Sequence, residues 1–312
     1  MTKKNIVVAL LTIFISYLTI FFMSSQDNYK TDNFLSASDP ISDNSAGLDL
    51  YSEELDIQKG TFRLTAVPRL SGSLGENTGN GAFLQAPMAF SFDVYQGNTL
   101  VNPGAGNLMS AQNLILRLNG SPMNYPFEKY SANFYSSVGV DNYNSDPAPL
   151  YIRDKTKSLA GFAVQSNYLS FIDGKPNKEA ILMDIKQGSG LIEWKFTRSG
   201  STKLAVFLFG ALMLIGAAAS SLMTINVVKG KRPPSINTLT WLAAFLFALF
   251  QVRNQLPGNP PSGVKFDMYI FFPTILILIC LILVNVSAWN SREDWDMENP
   301  LKAIKGKRVS SE

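Results

Sequence analysis

The chain has 312 residues, 46% of them hydrophobic, with a formal net charge of +3, no histidine and a single cysteine. Without imidazole, every mechanism that needs a histidine base, acid or metal ligand is excluded, which removes most hydrolases and zinc enzymes. The small positive charge does not point to nucleic acid, because the basic residues gather beside apolar blocks, where membrane topology accounts for them.

In chain order, the first apolar block runs from Ile6 to Met23 behind Lys3 and Lys4, close to the roughly 20 residues that a hydrocarbon core requires. A retained anchor (residues 1–23) and a cleaved signal peptide are the competing readings. The anchor is favoured because the block exceeds the apolar core of about 7–15 residues usual in signal peptides and ends in Phe21-Phe22-Met23 rather than in small residues. A linker rich in Ser, Asp and Asn follows over residues 24–47.

Residues 48–200 carry short runs of β-branched and aromatic residues. Examples are Thr61 to Val67, Met88 to Tyr95, Asn113 to Leu118 and Leu191 to Phe196, the last two alternating as half-buried strands do. Turn signals separate such runs at Gln96-Gly97-Asn98, Asn119-Gly120-Ser121, Asp173-Gly174-Lys175 and Gln187-Gly188-Ser189-Gly190. No segment here shows a sustained helical period, so the spacing predicts an antiparallel β-sandwich of about seven or eight strands. Since Cys280 lies in the last apolar block, this domain has no disulfide and must rest on a packed core. Within it, Tyr125-Pro126-Phe127-Glu128-Lys129-Tyr130 stands out: Pro126 belongs at the start or edge of a strand, and the flanking rings are expected to anchor in the core or at a membrane surface.

Further apolar blocks, Leu204 to Val228, Ile236 to Val252 and Met268 to Trp289, predict a three-helix bundle over residues 201–290 ahead of a tail at 291–312. Lys229, Lys231 and Arg232 lie between the first two, and Arg292, Lys302, Lys305, Lys307 and Arg308 lie in the tail, whereas the other short loop holds Arg253 and Lys265. Positive charge marks the cytoplasmic side, so both termini are expected inside and the β-domain outside, in a multi-pass cell-membrane protein. Trp241 and Trp289 fall at the predicted inner boundary and Tyr269 at the outer one. Gly216 with Ser220 and Ala217 with Ser221 have the small-residue spacing that lets helices approach, read as packing within this chain. Asn226 and Asn285 lie near the inner helix ends and are expected to hydrogen-bond each other, since an amide facing lipid is costly.

Two segments carry a resemblance. Tyr125 to Tyr130, behind Leu114 to Gly120, is similar to a Tyr-Pro-Phe-Asp-x-Tyr element. The segment Arg253-Asn254-Gln255-Leu256-Pro257-Gly258-Asn259-Pro260-Pro261-Ser262-Gly263, with Asp267 beyond it, resembles an outer loop between two helices. Both features resemble a bacterial family of four-helix integral membrane proteins known only as domain of unknown function 4436. Glu128 in place of the usual aspartate and the long loop from Ser71 to Gly81 are departures. The resemblance implies architecture over about Leu48 to Trp289 and no activity.

A loop this rich in Pro and Gly is a rigid cap, and it is expected to dock on the domain with Arg253 pairing Glu128 or another acid and with Tyr125 and Phe127 on the prolines. Catalytic, cofactor and metal residues are not identified. Asp141, Asp146, Asp154, Asp173, Glu179 and Asp184 are carboxylates placed for the most part in turn-like segments. Asn142, Asn144 and Asp146 lack the glycine and glutamate of a calcium loop, and Ser189 has no base to activate it. The function expected is a non-catalytic envelope protein whose ectodomain binds a protein or lipid partner beside the bilayer. A ligand-gated channel or receptor-like protein and a lipid-binding or transport accessory protein are the alternatives.

Overall fold

The computed structural model of the protein describes residues 44–95, 97–140, 148–156, 159–172, 175–176 and 178–291. The expected first membrane helix, the linker up to residue 43, the turn holding Asp141 to Asp146, Asp173, the side chain of Glu179 and the tail after residue 291 lie outside the described residues. The chain divides into two compact units, Met1–Leu204 and Ala205–Glu312.

The first unit is β-rich. Its strands are β1 (Ala46–Asp56), β2 (Thr61–Leu70), β3 (Gly75–Thr78), β4 (Gly81–Leu84), β5 (Met88–Val94), β6 (Gly97–Val101), β7 (Leu108–Ser110) and β8 (Gln112–Arg117). They continue with β9 (Asn119–Gly120), β10 (Lys129–Val140), β11 (Leu150–Asp154), β12 (Phe162–Tyr168), β13 (Phe171–Ile172), β14 (Lys175–Pro176) and β15 (Ser189–Arg198). One sheet runs β11-β1-β2-β8 and a larger one β12-β15-β10-β5-β6, with β9 paired to β10. A small sheet β3-β4-β7 and the pair β13-β14 complete the set. The strands exceed the seven or eight expected, and the pairing is not wholly antiparallel. β1 lies parallel to β11, with Ala46 opposite Leu150 and Asp49 opposite Arg153, a long-range pairing that local alternation does not encode.

Alternation decides which faces are buried. On β15, Gly190, Ile192, Trp194, Phe196 and Arg198 point inward, and on β12, Phe162, Val164, Ser166 and Tyr168 do. Phe62 of β2 meets Trp194 edge-on at 5.4 Å and Phe196 at 4.9 Å, so rings from both large sheets share one core. Truncating such a ring to alanine costs about 3–5 kcal/mol. Pro68 sits within β2 where it pairs β1, beyond Ala66, the last β2 residue paired to β8, so its missing N–H removes no bond on that side.

A helix, α1 (Lys178–Lys186), precedes β15, against the expectation of an all-strand domain. It buries Ala180, Ile181 and Ile185 but leaves Leu182 and Met183 exposed, which blurs the period that would have marked it.

Beyond β15 run α2 (Gly200–Val228), α3 (Ile236–Asn254) and α4 (Phe272–Asn290), the last preceded by a π-helical turn at Asp267–Phe271. These three helices are long and apolar enough to cross a membrane, with mean hydropathy 2.1, 1.3 and 2.6. Val206, Gly210, Met213, Ala217, Ser220, Thr224 and Val227 form the buried stripe of α2, at the three- and four-residue spacing of one helix face. A Cβ on Gly216 would lie 2.1 Å from the Phe245 ring of α3, so the small residue sets that close approach. The amide expected to pair with Asn226 has another partner. Asn285 donates to the Thr224 hydroxyl at 2.7 Å and to the Leu281 carbonyl at 2.8 Å. Thr224 lies on the buried stripe of α2, whereas Asn226, two positions along, is rotated off it.

Candidate functional site

The Tyr125 to Tyr130 segment is built from a tight turn. Pro122–Asn124 form a 3₁₀ turn capped by Ser121, whose hydroxyl accepts from the Met123 N–H. The Tyr125 N–H donates to the Pro122 carbonyl and the Phe127 N–H to that of Asn124, and the Tyr125–Pro126 peptide is cis. This folding sends Tyr125, Pro126, Glu128 and Tyr130 inward and leaves Phe127 57% exposed.

Glu128 is thereby carried to Arg198, the last residue of β15. Arg198 Nε donates to Glu128 Oε1 at 2.6 Å, with both side chains only 1% exposed. The guanidinium lies 4.2 Å from the Phe162 ring centroid and 5.4 Å from that of Tyr125, so two π-faces help to hold the buried cation. Glu128 Oε2 and the Tyr130 hydroxyl have no hydrogen-bond partner among the described residues. Burial, reinforced by the Glu128 charge and opposed by Arg198, pushes the Tyr130 hydroxyl well above the usual tyrosine range. Arg198 was not among the residues expected at this site. Its signal lay in the alternation of β15, where an arginine falls at an inward position and so requires a buried counter-charge.

Only Ser199 separates Arg198 from α2. Its hydroxyl accepts from the Thr202 N–H at 3.3 Å as an N-cap. The Ser199 N–H and the Thr202 hydroxyl both donate to the Gly161 carbonyl, at 3.0 and 3.2 Å. The strand end and the first helical turn are thus tied to the residue just ahead of β12.

A second cluster lies in the other unit. Arg253, in the last turn of α3, donates from Nε to Asp267 Oδ1 at 3.2 Å and from Nη2 to Asp267 Oδ2 at 2.9 Å. The same Nη2 reaches the carbonyls of Pro260 and Pro261 at 3.1 and 3.0 Å, and the Gly263 N–H donates to Asp267 Oδ2 at 2.9 Å. Asp267 is 1% exposed, and the pair has the fork geometry that favours Arg over Lys. Of the loop residues singled out from sequence, Arg253, Pro260, Pro261, Gly263 and Asp267 come together, while Asn254 is exposed, Pro257 is half-buried and Gly258 turns at φ 76°. Of the acids open to Arg253, Asp267 in its own unit pairs it, and Glu128 pairs Arg198.

Among the other carboxylates named from the sequence, Asp154 is structural. Asp154 Oδ2 accepts from Trp194 Nε1 at 3.0 Å and its Oδ1 from the Thr156 N–H at 2.8 Å, so it closes β11 rather than facing solvent in a turn. Asp184 lies in α1 and its carbonyl accepts from Ser189 Oγ at 3.2 Å. Among the described residues no three Asp, Glu or Cys side chains gather as a metal-binding group.

Residues 36–170 match the family model of a domain of unknown function (DUF4436). This region belongs to that family. A second model, also a domain of unknown function (DUF8686), matches residues 198–292, and no curated protein matches the chain. The Tyr125 to Tyr130 segment lies inside the DUF4436 region, while Arg198 is the first residue of the second match. The Glu128–Arg198 pair therefore joins the DUF4436 region to the stretch that continues into the apolar helices.

Proposed function

We propose that the chain is a non-catalytic, multi-pass cell-membrane protein whose β-rich domain, an extracytoplasmic sandwich, binds a partner or ligand. In this reading four helices, counting Ile6 to Met23, hold the domain at the bilayer with both termini inside. The observation that carries it is the buried Glu128–Arg198 pair. Such a pair seldom adds much net stability, but it fixes one geometry, because any other packing strands a charge. This fixed geometry lies one residue from a helix of membrane length. The exposed Phe127 beside it supports an interfacial contact, as aromatic rings prefer headgroup depth. The Arg253–Asp267 fork holds the loop that this reading also places outside.

The test is photo-crosslinking in cells from single positions on the exposed faces of the domain, with labelling by an impermeant thiol reagent to read sidedness. Capture of a protein, lipid or glycan partner from outside the cytoplasm is the expected result. Labelling only from the cytoplasm, or capture of nothing from any face, overturns the proposal.

A further inference from the structure

The two large sheets meet along a seam that carries polar side chains with no internal work to do. The Tyr95 N–H, just past β5, donates to the Ile115 carbonyl of β8 at 2.8 Å, which ties an inner strand of one sheet to the edge strand of the other. Beside that tie lies an open cleft of about 230 Å³, with Leu116 as an apolar floor and Asp93, Tyr95, Arg117, Asn119 and Asn133 around it. Leu116 is 1% exposed, whereas Tyr95 is 50% exposed. Among the described residues none of these five polar side chains has a hydrogen-bond or ion-pair partner. Asp93 and Arg117 line one cleft without pairing each other.

The chemistry of that lining selects a ligand class. One carboxylate and one guanidinium cancel in charge, so the cleft offers no net field to an ion. In a site this open an exposed ion pair is worth little. The two carboxamides each present a donor and an acceptor, the carboxylate only acceptors and the guanidinium only donors. Neighbouring hydroxyl groups, each both donor and acceptor, satisfy all of these at once. Tyr95 adds an exposed ring with an apolar face and a polar tip. The volume is below the roughly 300–1,000 Å³ of enclosed pockets for drug-sized molecules, which suits a single ring unit rather than a bulky cofactor. Asp93, Arg117, Asn119 and Asn133 stand on strands or at a strand end, a rigid mounting that keeps such a group of contacts in register.

We infer that this cleft binds a neutral saccharide unit, with Asn119, Asn133, Asp93 and Arg117 hydrogen-bonding its hydroxyls and Tyr95 stacking on its ring. The inference rests on the binding role proposed above and names its site and ligand chemistry. A sugar of this kind reaches the cleft either as part of a soluble glycan or as the headgroup of a glycolipid.

The experiment uses the full chain in nanodiscs of phosphatidylethanolamine and phosphatidylglycerol, purified without sugar-headed detergents. Saturation-transfer NMR is run against neutral hexoses, N-acetylhexosamines, pentoses and their disaccharides. A parallel arm dopes the discs with a glycosyl diacylglycerol and reads its contact by crosslinking from the cleft. Transfer to a soluble sugar, or crosslinking to the glycolipid headgroup, is expected, and the arm that responds identifies the source. Asn133→Ala and Tyr95→Ala, both at exposed positions, should each weaken binding by about tenfold, while Phe83→Ala on the exposed face of β4 leaves it unchanged. Binding should be indifferent to salt, as a neutral ligand requires. No sugar bound in either arm, sugar binding unmoved by both cleft variants, or binding that collapses with salt overturns the inference. If the cellular crosslinks still capture a partner in those cases, the broader binding role stands without this site. If they capture nothing, that role falls separately.

Discussion

Replacing Arg198 by methionine removes the cation but keeps most of the side-chain volume, and it leaves Glu128 buried without its counter-charge. Unit charges about 4 Å apart attract by about 4 kcal/mol at an effective dielectric of about 20, and deleting one partner of a buried pair costs about 3–5 kcal/mol. Both side chains are only 1% exposed, so solvent cannot rescue the stranded carboxylate. The Phe162 and Tyr125 contacts are lost as well. Native-state hydrogen exchange of the full chain in nanodiscs, followed at core amides of β10 and β15, reads the effect as faster exchange by about two to more than three orders of magnitude. The double variant Arg198→Met/Glu128→Leu removes both charges and should return stability to within about 1 kcal/mol of the parent. Arg63→Ala is the control, because its pair with Glu54 has side chains 49% and 58% exposed and should contribute at most about 1 kcal/mol. If Arg198→Met costs no more than that control, or the double variant is as damaged as the single one, the buried pair is not the brace argued here.

Tyr130→Phe removes a buried hydroxyl that has no partner among the described residues and should be neutral or stabilising by up to about 1 kcal/mol, read by the same exchange measurement. The folded-state pKa of Tyr130 is raised mainly by burial, so the unfolded chain releases this proton first on going alkaline. Stability from this residue is therefore complete below about pH 10 and falls above it, and Tyr130→Phe should flatten that alkaline loss in a pH series of unfolding curves. Asp267→Asn weakens the fork that organises the loop between α3 and α4, and selective acceleration of Gly263 amide exchange is the expected readout. Gly216→Ala drives a methyl into the Phe245 ring and should destabilise the helix bundle by about 1–3 kcal/mol in a steric-trap unfolding assay, with Phe245→Leu as the compensating change. Asn285→Leu should cost about 0.6 kcal/mol in the same assay, the typical worth of an interhelical hydrogen bond in a bilayer.

The three long apolar helices were legible in sequence because hydrophobic length is a summed property. The expected segment from Ile236 to Val252 lies within α3, and α2 begins only a few residues before Leu204. Partners were less legible, because a charge seen in a sequence does not show which opposite charge the fold delivers to it. For Arg253 the sequence leaves Glu128 or another acid open, and Asp267, beyond a loop that doubles back, supplies both oxygens of its fork. Arg198 stands at an inward position of a cleanly alternating strand, two residues past Phe196, where the run legible in sequence ends. The Asn285 error was one of helical phase, because Thr224 faces inward and Asn226 does not. The parallel β1–β11 pair depends on residues about a hundred positions apart, such as Asp49 and Arg153 at a separation of 104, and no local pattern announces it.

The place of β15 in its sheet bears on how the protein is made. It is an inner strand, flanked by β12 and β10, and also the last strand before α2. The larger sheet cannot close until β15 leaves the ribosome, and by then the next residues to emerge are those of an apolar helix. Closure of the sheet and emergence of the apolar α2 are thereby compressed into one interval of synthesis. A substitution that slows the sheet, at Trp194 for example, should add a defect of membrane integration to the equilibrium stability lost with the buried ring.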